Sequence, residues 1–155
     1  MKKIILVIAL VLSTNAFAHG DHSEPGAIPP APHGGTVSEA KHHEHHGHNH
    51  SHKKSEEKEI FFEAIYKGKT LKVYPLILDP KTYKTFLSQP VAGFKKTKIV
   101  LKDPRKKKEY TVEATPKGNY WEVPMAKIRG RRLIVHLSSQ VDGENYKAKI
   151  QIERK

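Results

Sequence analysis

The run Arg131-Arg132-Leu133-Ile134-Val135-His136-Leu137, then Asp142-Gly143, then Tyr146-Lys147-Ala148-Lys149-Ile150-Gln151-Ile152, decides the fold. Apolar residues recur at every second position on both sides of the Asp-Gly pair: Leu133, Val135 and Leu137 before it, and Tyr146, Ala148, Ile150 and Ile152 after it. Successive side chains of a strand point to opposite faces, so a period of two marks a strand with one buried face. An Asp-Gly between two such runs is a hairpin signal.

The same pattern extends upstream. Ile60 to Tyr66 and Thr70 to Leu78 flank a Lys67-Gly68 turn, and Pro75 interrupts the second run, which predicts an edge position or a bulge there. Thr97 to Lys102 carries Ile99 and Leu101 on one face, and Glu109 to Ala114 returns with Tyr110 and Val112 inward after the Asp103-Pro104 turn. Tyr120 to Val123 places Trp121 and Val123 together, with Trp121 as the central core aromatic. Residues 79–90 read equally as one helical turn or a long crossover. About seven short strands with turn signals between them predict an all-β fold, a small antiparallel sandwich of Ig-like type, over residues 59–155.

The N-terminus has a different logic. Lys2 and Lys3 precede an apolar run, Ile4 to Leu12, and Ala16-Phe17-Ala18 forms a small-x-small cleavage site. That run is far shorter than the ~20 residues of a membrane-spanning helix. Residues 1–18 are therefore expected to be a removable signal peptide. The mature chain begins at His19, has no transmembrane span, and resides in the periplasm. The chain has no cysteine, so disulfides and thiolate ligands are excluded.

Residues 19–58 are rich in Pro, Gly and His and poor in apolar residues, and predict a disordered segment preceding the sandwich. Of the eleven histidines in the chain, only His136 lies beyond residue 52, on the outward face of its strand. The dense tract is Lys41-His42-His43-Glu44-His45-His46-Gly47-His48-Asn49-His50-Ser51-His52. Neutral imidazole binds Zn, Cu, Ni and Co through its free ring nitrogen. Closely spaced imidazoles assemble three or four ligands in many nearly equivalent ways, which predicts several exchanging modes and several ions. At the mature N-terminus, the His19 amine and imidazole, with Asp21 and His22, form a second candidate set that favours Cu(II).

The net charge of +12 at pH 7 draws the chain to polyanions. Export makes nucleic acid an unsuitable partner, leaving anionic lipid or another envelope polyanion as the competing reading to metal binding. The sequence has no nucleophile elbow, phosphate-cradling glycine loop or H-E-x-x-H, and no pair of acids at a suggestive spacing, so no enzyme is expected.

The segment Pro32-His33-Gly34-Gly35-Thr36-Val37, followed by strands at Ile60–Tyr66 and Leu71–Tyr74, resembles periplasmic domains associated with heavy-metal efflux, which occur alone or near the N-terminus of adaptor proteins of RND pumps. The resemblance implies binding or delivery of metals such as copper, zinc, cobalt or nickel. It matches His33 to the family motif and names a heavy-metal efflux system as partner. The candidate metal ligands are thus His19, Asp21, His22, His33, His42, His43, His45, His46, His48, His50 and His52.

Overall fold

Pairing of alternating strands accounts for nearly all of the architecture in the computed structural model, which describes residues 28–42 and 59–154. The expected signal peptide, the N-terminal set His19, Asp21 and His22, and the tract residues His43, His45, His46, His48, His50 and His52 lie outside the described residues.

In chain order the strands are β1 (Thr36–Glu39), β2 (Lys41–His42), β3 (Ile60–Lys67), β4 (Thr70–Leu78), β5 (Phe86–Ser88), β6 (Lys95–Asp103), β7 (Lys108–Val112), β8 (Thr115–Lys117), β9 (Tyr120–Pro124), β10 (Arg132–Val141) and β11 (Glu144–Glu153). They form two antiparallel sheets. One has the order β1-β3-β4-β9-β8, with β5 also paired to β4, and the other has the order β2-β11-β10-β6-β7. The expected all-β sandwich is the observed fold. Among the described residues no helix is long and apolar enough to cross a membrane.

The β10–β11 hairpin has the predicted register, with Leu133 opposite Ile152, Val135 opposite Ile150 and Leu137 opposite Ala148. Asp142 and Gly143 both take positive φ, +52° and +91°, as a two-residue hairpin turn matched to strand twist demands. Phe62, Leu71, Val73, Trp121 and Val123 of the first sheet share one core with Ile99, Leu101, Leu133, Val135, Leu137 and Ile150 of the second. Phe94 meets Trp121 edge-on, with ring centroids 5.7 Å apart. Burying each such side chain contributes about 1.5–3 kcal/mol, enough to hold a sandwich of this size without disulfides.

Three features differ from the sequence reading. The sandwich does not begin at residue 59: Thr36–Glu39 pairs with β3, and Lys41–His42 pairs with β11. Between them Ala40 is buried, and its amide donates to the Ile60 carbonyl over 2.8 Å. One short extended stretch therefore passes from one sheet to the other and closes that side of the sandwich. Backbone bonding holds it, with Val37 and Ala40 as its only apolar side chains, so hydrophobic periodicity carries no trace of it.

Pro75 is neither on an edge strand nor at a bulge. It lies within β4, opposite Phe62 of β3. On the other side of β4, the β9 ladder ends at Val73 and the β5 ladder starts at Leu76. The Pro75 carbonyl accepts from the Gln89 amide on that side. A residue's N–H and C=O point the same way in a strand, so its missing donor faces the gap between two partners. Residues 79–90 hold neither a helix nor a plain crossover. They form a turn closed by the Asp79 amide on the Thr85 carbonyl, then β5, then a 3-10 turn at Val91–Gly93 that begins after Pro90.

Candidate functional site

The Ile60–Lys67 strand has the sequence IFFEAIYK, an apolar run with one carboxylate in its middle. Phe62 and Ala64 face the core, and Glu63 faces the outer side of the sheet between Val37 of β1 and Tyr74 of β4. Its side chain is nonetheless fully buried, with 0% exposure. A buried carboxylate without hydrogen bonds costs several kcal/mol, so its partners define the local structure.

Those partners all come from the Pro-His-Gly-Gly segment. The His33 amide donates to Oε1 at 3.1 Å and Oε2 at 3.3 Å, the Gly35 amide donates to Oε1 at 2.7 Å, and the His33 ring Nδ1 lies 2.7 Å from Oε2. Each residue of the motif has a physical part in this cradle. Pro32 takes the second position of a turn in which the Gly34 amide bonds to the Ala31 carbonyl at 3.2 Å, where a fixed φ is favourable. His33 stacks on Tyr74, with ring centroids 3.8 Å apart and planes 14° from parallel. Gly35 sits against β3 so closely that a Cβ would fall 2.6 Å from the Ala64 carbonyl oxygen, so no larger residue fits without moving the strand. Burial pushes the Tyr74 hydroxyl above its ordinary range, Lys72 opposing, so Tyr74 is a neutral phenol at pH 7.

This arrangement leaves the His33 ring one unengaged nitrogen. Nδ1 is held by the carboxylate, and among the described residues no hydrogen bond engages Nε2. The His33 side chain is 30% exposed. A carboxylate on one imidazole nitrogen fixes the orientation of the ring, the pairing found behind metal-ligating histidines.

His42, the other described candidate, lies at the edge of the second sheet opposite Tyr146. Its Nε2 is 3.6 Å from Glu144 Oε2, to which the Tyr146 hydroxyl also donates at 3.0 Å. Glu39, His42, Glu59 and Glu144 line one depression of about 270 Å³. His33 and His42 are not brought together. Among the described residues no group of three or more His, Asp or Glu is gathered closely enough to hold a metal. His136 lies on the outer face of the second sheet, as expected. Partial burial holds it below the ordinary histidine range, and Lys102 and Lys149 add to this against the opposing effect of Glu109.

The residue that sequence reasoning missed is Glu63. Its signal was a lone acid interrupting an apolar strand, and its partner lies 30 residues upstream, beyond any local spacing rule. The chain matches no family model, no curated protein and no solved structure.

Two outcomes follow for stability. Glu63→Ala leaves two backbone amides and an imidazole without their acceptor and is expected to cost about 2–4 kcal/mol in urea unfolding, whereas Gly35→Ala costs about 1–3 kcal/mol through the forced shift of β1. Wild-type stability for either substitution would show that the cradle is not formed. The lowered pKa of His136 means that neutral imidazole is favoured in the folded state, so this contribution is present above its unfolded pKa of about 6.5 and is lost as pH falls. His136→Gln therefore loses less urea stability than wild type between about pH 7.5 and 5, and equal losses would contradict the assignment.

Proposed function

We propose that the protein binds divalent transition-metal ions (Cu, Zn, Ni or Co) outside the cytoplasm, as a buffer, carrier or accessory of a heavy-metal efflux system. The observation that carries this reading is the way the histidine tract is attached. The Ala40 amide and Ile60 carbonyl bond across 2.8 Å, so β2, which ends at His42, and β3, which begins at Ile60, start from neighbouring points of the sandwich. The tract is thus flanked on both sides by strands of the sandwich, whereas the sequence predicts an arm attached at one end. Anchoring both ends confines the imidazoles to a small volume and raises their effective concentration toward one another and toward a shared ion.

Two further features support the reading. Glu39, Glu59 and Glu144 put carboxylates beside His42 at the root of the loop, where negative charge attracts cations. His33, held through Nδ1 by Glu63, offers an oriented Nε2. Glu63 lies four residues along β3 from Glu59, about 13 Å of strand, which a segment of the tract's length can span. The resemblance of Pro32–Val37 to metal-efflux-associated domains points the same way, and it supplies the efflux system as the proposed partner. The N-terminal set of His19, Asp21 and His22 is proposed as a separate Cu(II) site.

Equilibrium dialysis of the chain starting at His19, with elemental analysis, tests the proposal. Several ions per chain are expected at micromolar metal. Replacing His42, His43, His45, His46, His48, His50 and His52 together by Asn removes most of them. Affinity falls as the pH is lowered through the range in which imidazole takes up a proton, because protons compete with the metal for the same ring nitrogens. Absence of binding, or binding unchanged by the seven substitutions, would overturn the reading.

A further inference from the structure

The outer face of the β2-β11-β10-β6-β7 sheet has a charge arrangement that folding alone does not favour. Residues directly opposite one another in neighbouring strands share a face, so the register gives its rows directly. One row runs Lys41, Lys147, Ser138, Lys98 across β2, β11, β10 and β6. The next runs Lys149, His136, Val100, Thr111 across β11, β10, β6 and β7. The third runs Gln151, Ile134, Lys102, Glu109 over the same four strands. Five lysines thus surround His136, and within these rows the single acid is Glu109, already paired with Lys102.

Like charges directly opposite in a sheet destabilise it, and Lys41 faces Lys147 in this way. Lysine at a sheet edge is explained by protection against edge-to-edge pairing, which accounts for Lys41 on β2 and for Lys149 beyond the end of β2, but Lys98 and Lys102 lie on the interior strand β6 and Lys147 is covered by β2. Lys98, Lys147 and Lys149 are exposed. The rows span three strand spacings, about 14 Å, over an open sheet face with only a shallow depression of about 260 Å³ between Lys98, Lys102, His136 and Lys147. The lowered pKa of His136, set by burial and then by Lys102 and Lys149, fits the same concentration of positive charge.

We propose that this face docks the protein onto a phosphate-bearing lipid surface. A planar cationic array suits a planar anionic surface. The three rows contain no Phe, Tyr or Trp and only the single imidazole of His136, so the face lacks the series of stacking rings on which single-stranded nucleic acid is held. Residues 1–18 have the pattern of an export signal, which would place the chain beside a membrane surface. This inference is independent of the metal reading, since it uses no histidine of the tract and not His33.

The test is sedimentation of the chain starting at His19 with vesicles, in EDTA so that no metal bridges protein to lipid. Phosphatidylcholine vesicles with and without phosphatidylglycerol are compared for wild type, for K41Q/K98Q/K147Q/K149Q, and for R105Q/K106Q/K107Q/K108Q, which removes the same charge from the β6–β7 turn. Wild type binds only the vesicles containing phosphatidylglycerol, and added salt weakens that binding steeply. The face variant binds about a hundred-fold or more weakly, from roughly five-fold per lysine near an anionic surface, while the turn variant keeps its affinity within about ten-fold. Removing opposed lysines leaves the urea midpoint of the face variant unchanged or raised, so lost binding is not lost folding. Equal losses in the two variants, no binding to phosphatidylglycerol, or tighter binding to a DNA duplex than to these vesicles at the same salt would overturn the proposal.

Discussion

A single buried carboxylate sets the geometry on which the rest of the structure depends. Glu63 is enclosed on the outer side of its sheet and cannot remain there unpaired. The chain satisfies it with two backbone amides and one imidazole, all from His33 and Gly35. These bonds fix the segment before β1, the close approach of Gly35 fixes how near that segment lies to β3, and the chain then continues as a strand in register with it. An anchoring group of this kind is worth more than its own bonds, because without it the β1–β2 stretch would hold to the sandwich by few apolar contacts.

For the proposed function, the consequence is that the histidine tract is held at both of its flanks. Because the chain crosses between sheets at Ala40 and is bonded there to Ile60, the tract is bracketed by two strands of the same fold. Under the proposed function, a one-ended tail of equal composition would have to gather each ligand set from a larger volume. The two faces of the sandwich then separate two kinds of chemistry. The outer side of the first sheet carries the apolar group Phe61, Tyr74, Leu76 and Phe86 around Glu63 and His33. The outer side of the second carries the lysine rows around His136. Taken together, the two proposals would let one small molecule hold metal and stay near an anionic surface.

Much of this was legible in the sequence, and the boundary of legibility is physical. The β10–β11 hairpin, the Ile99–Leu101 face and the burial of Trp121 follow from side-chain alternation, which reports burial directly. What alternation cannot report is backbone bonding without apolar side chains, so Thr36–His42 read as part of a disordered segment although it is paired in both sheets. Pro75 misled for a related reason: the rule that excludes proline from an inner strand assumes an unbroken neighbour, and β4 has two neighbours with a gap between them. His33 was singled out by its motif, but its partner Glu63 was not, since a pair 30 residues apart leaves no spacing pattern. The lysine rows were visible only as a scattered excess of charge until the register aligned them.

The central claim is that the Glu63 carboxylate, through the Pro-His-Gly-Gly segment, holds the strand that closes the histidine loop. Native-state amide hydrogen exchange at Gly35 and Ala40, compared between wild type and Glu63→Gln, measures this most directly. The account predicts slow exchange at both amides in wild type, and faster exchange at both in the variant while the β10–β11 hairpin keeps its protection. Fast exchange at Ala40 in wild type, or protection there that survives loss of the carboxylate, would contradict it.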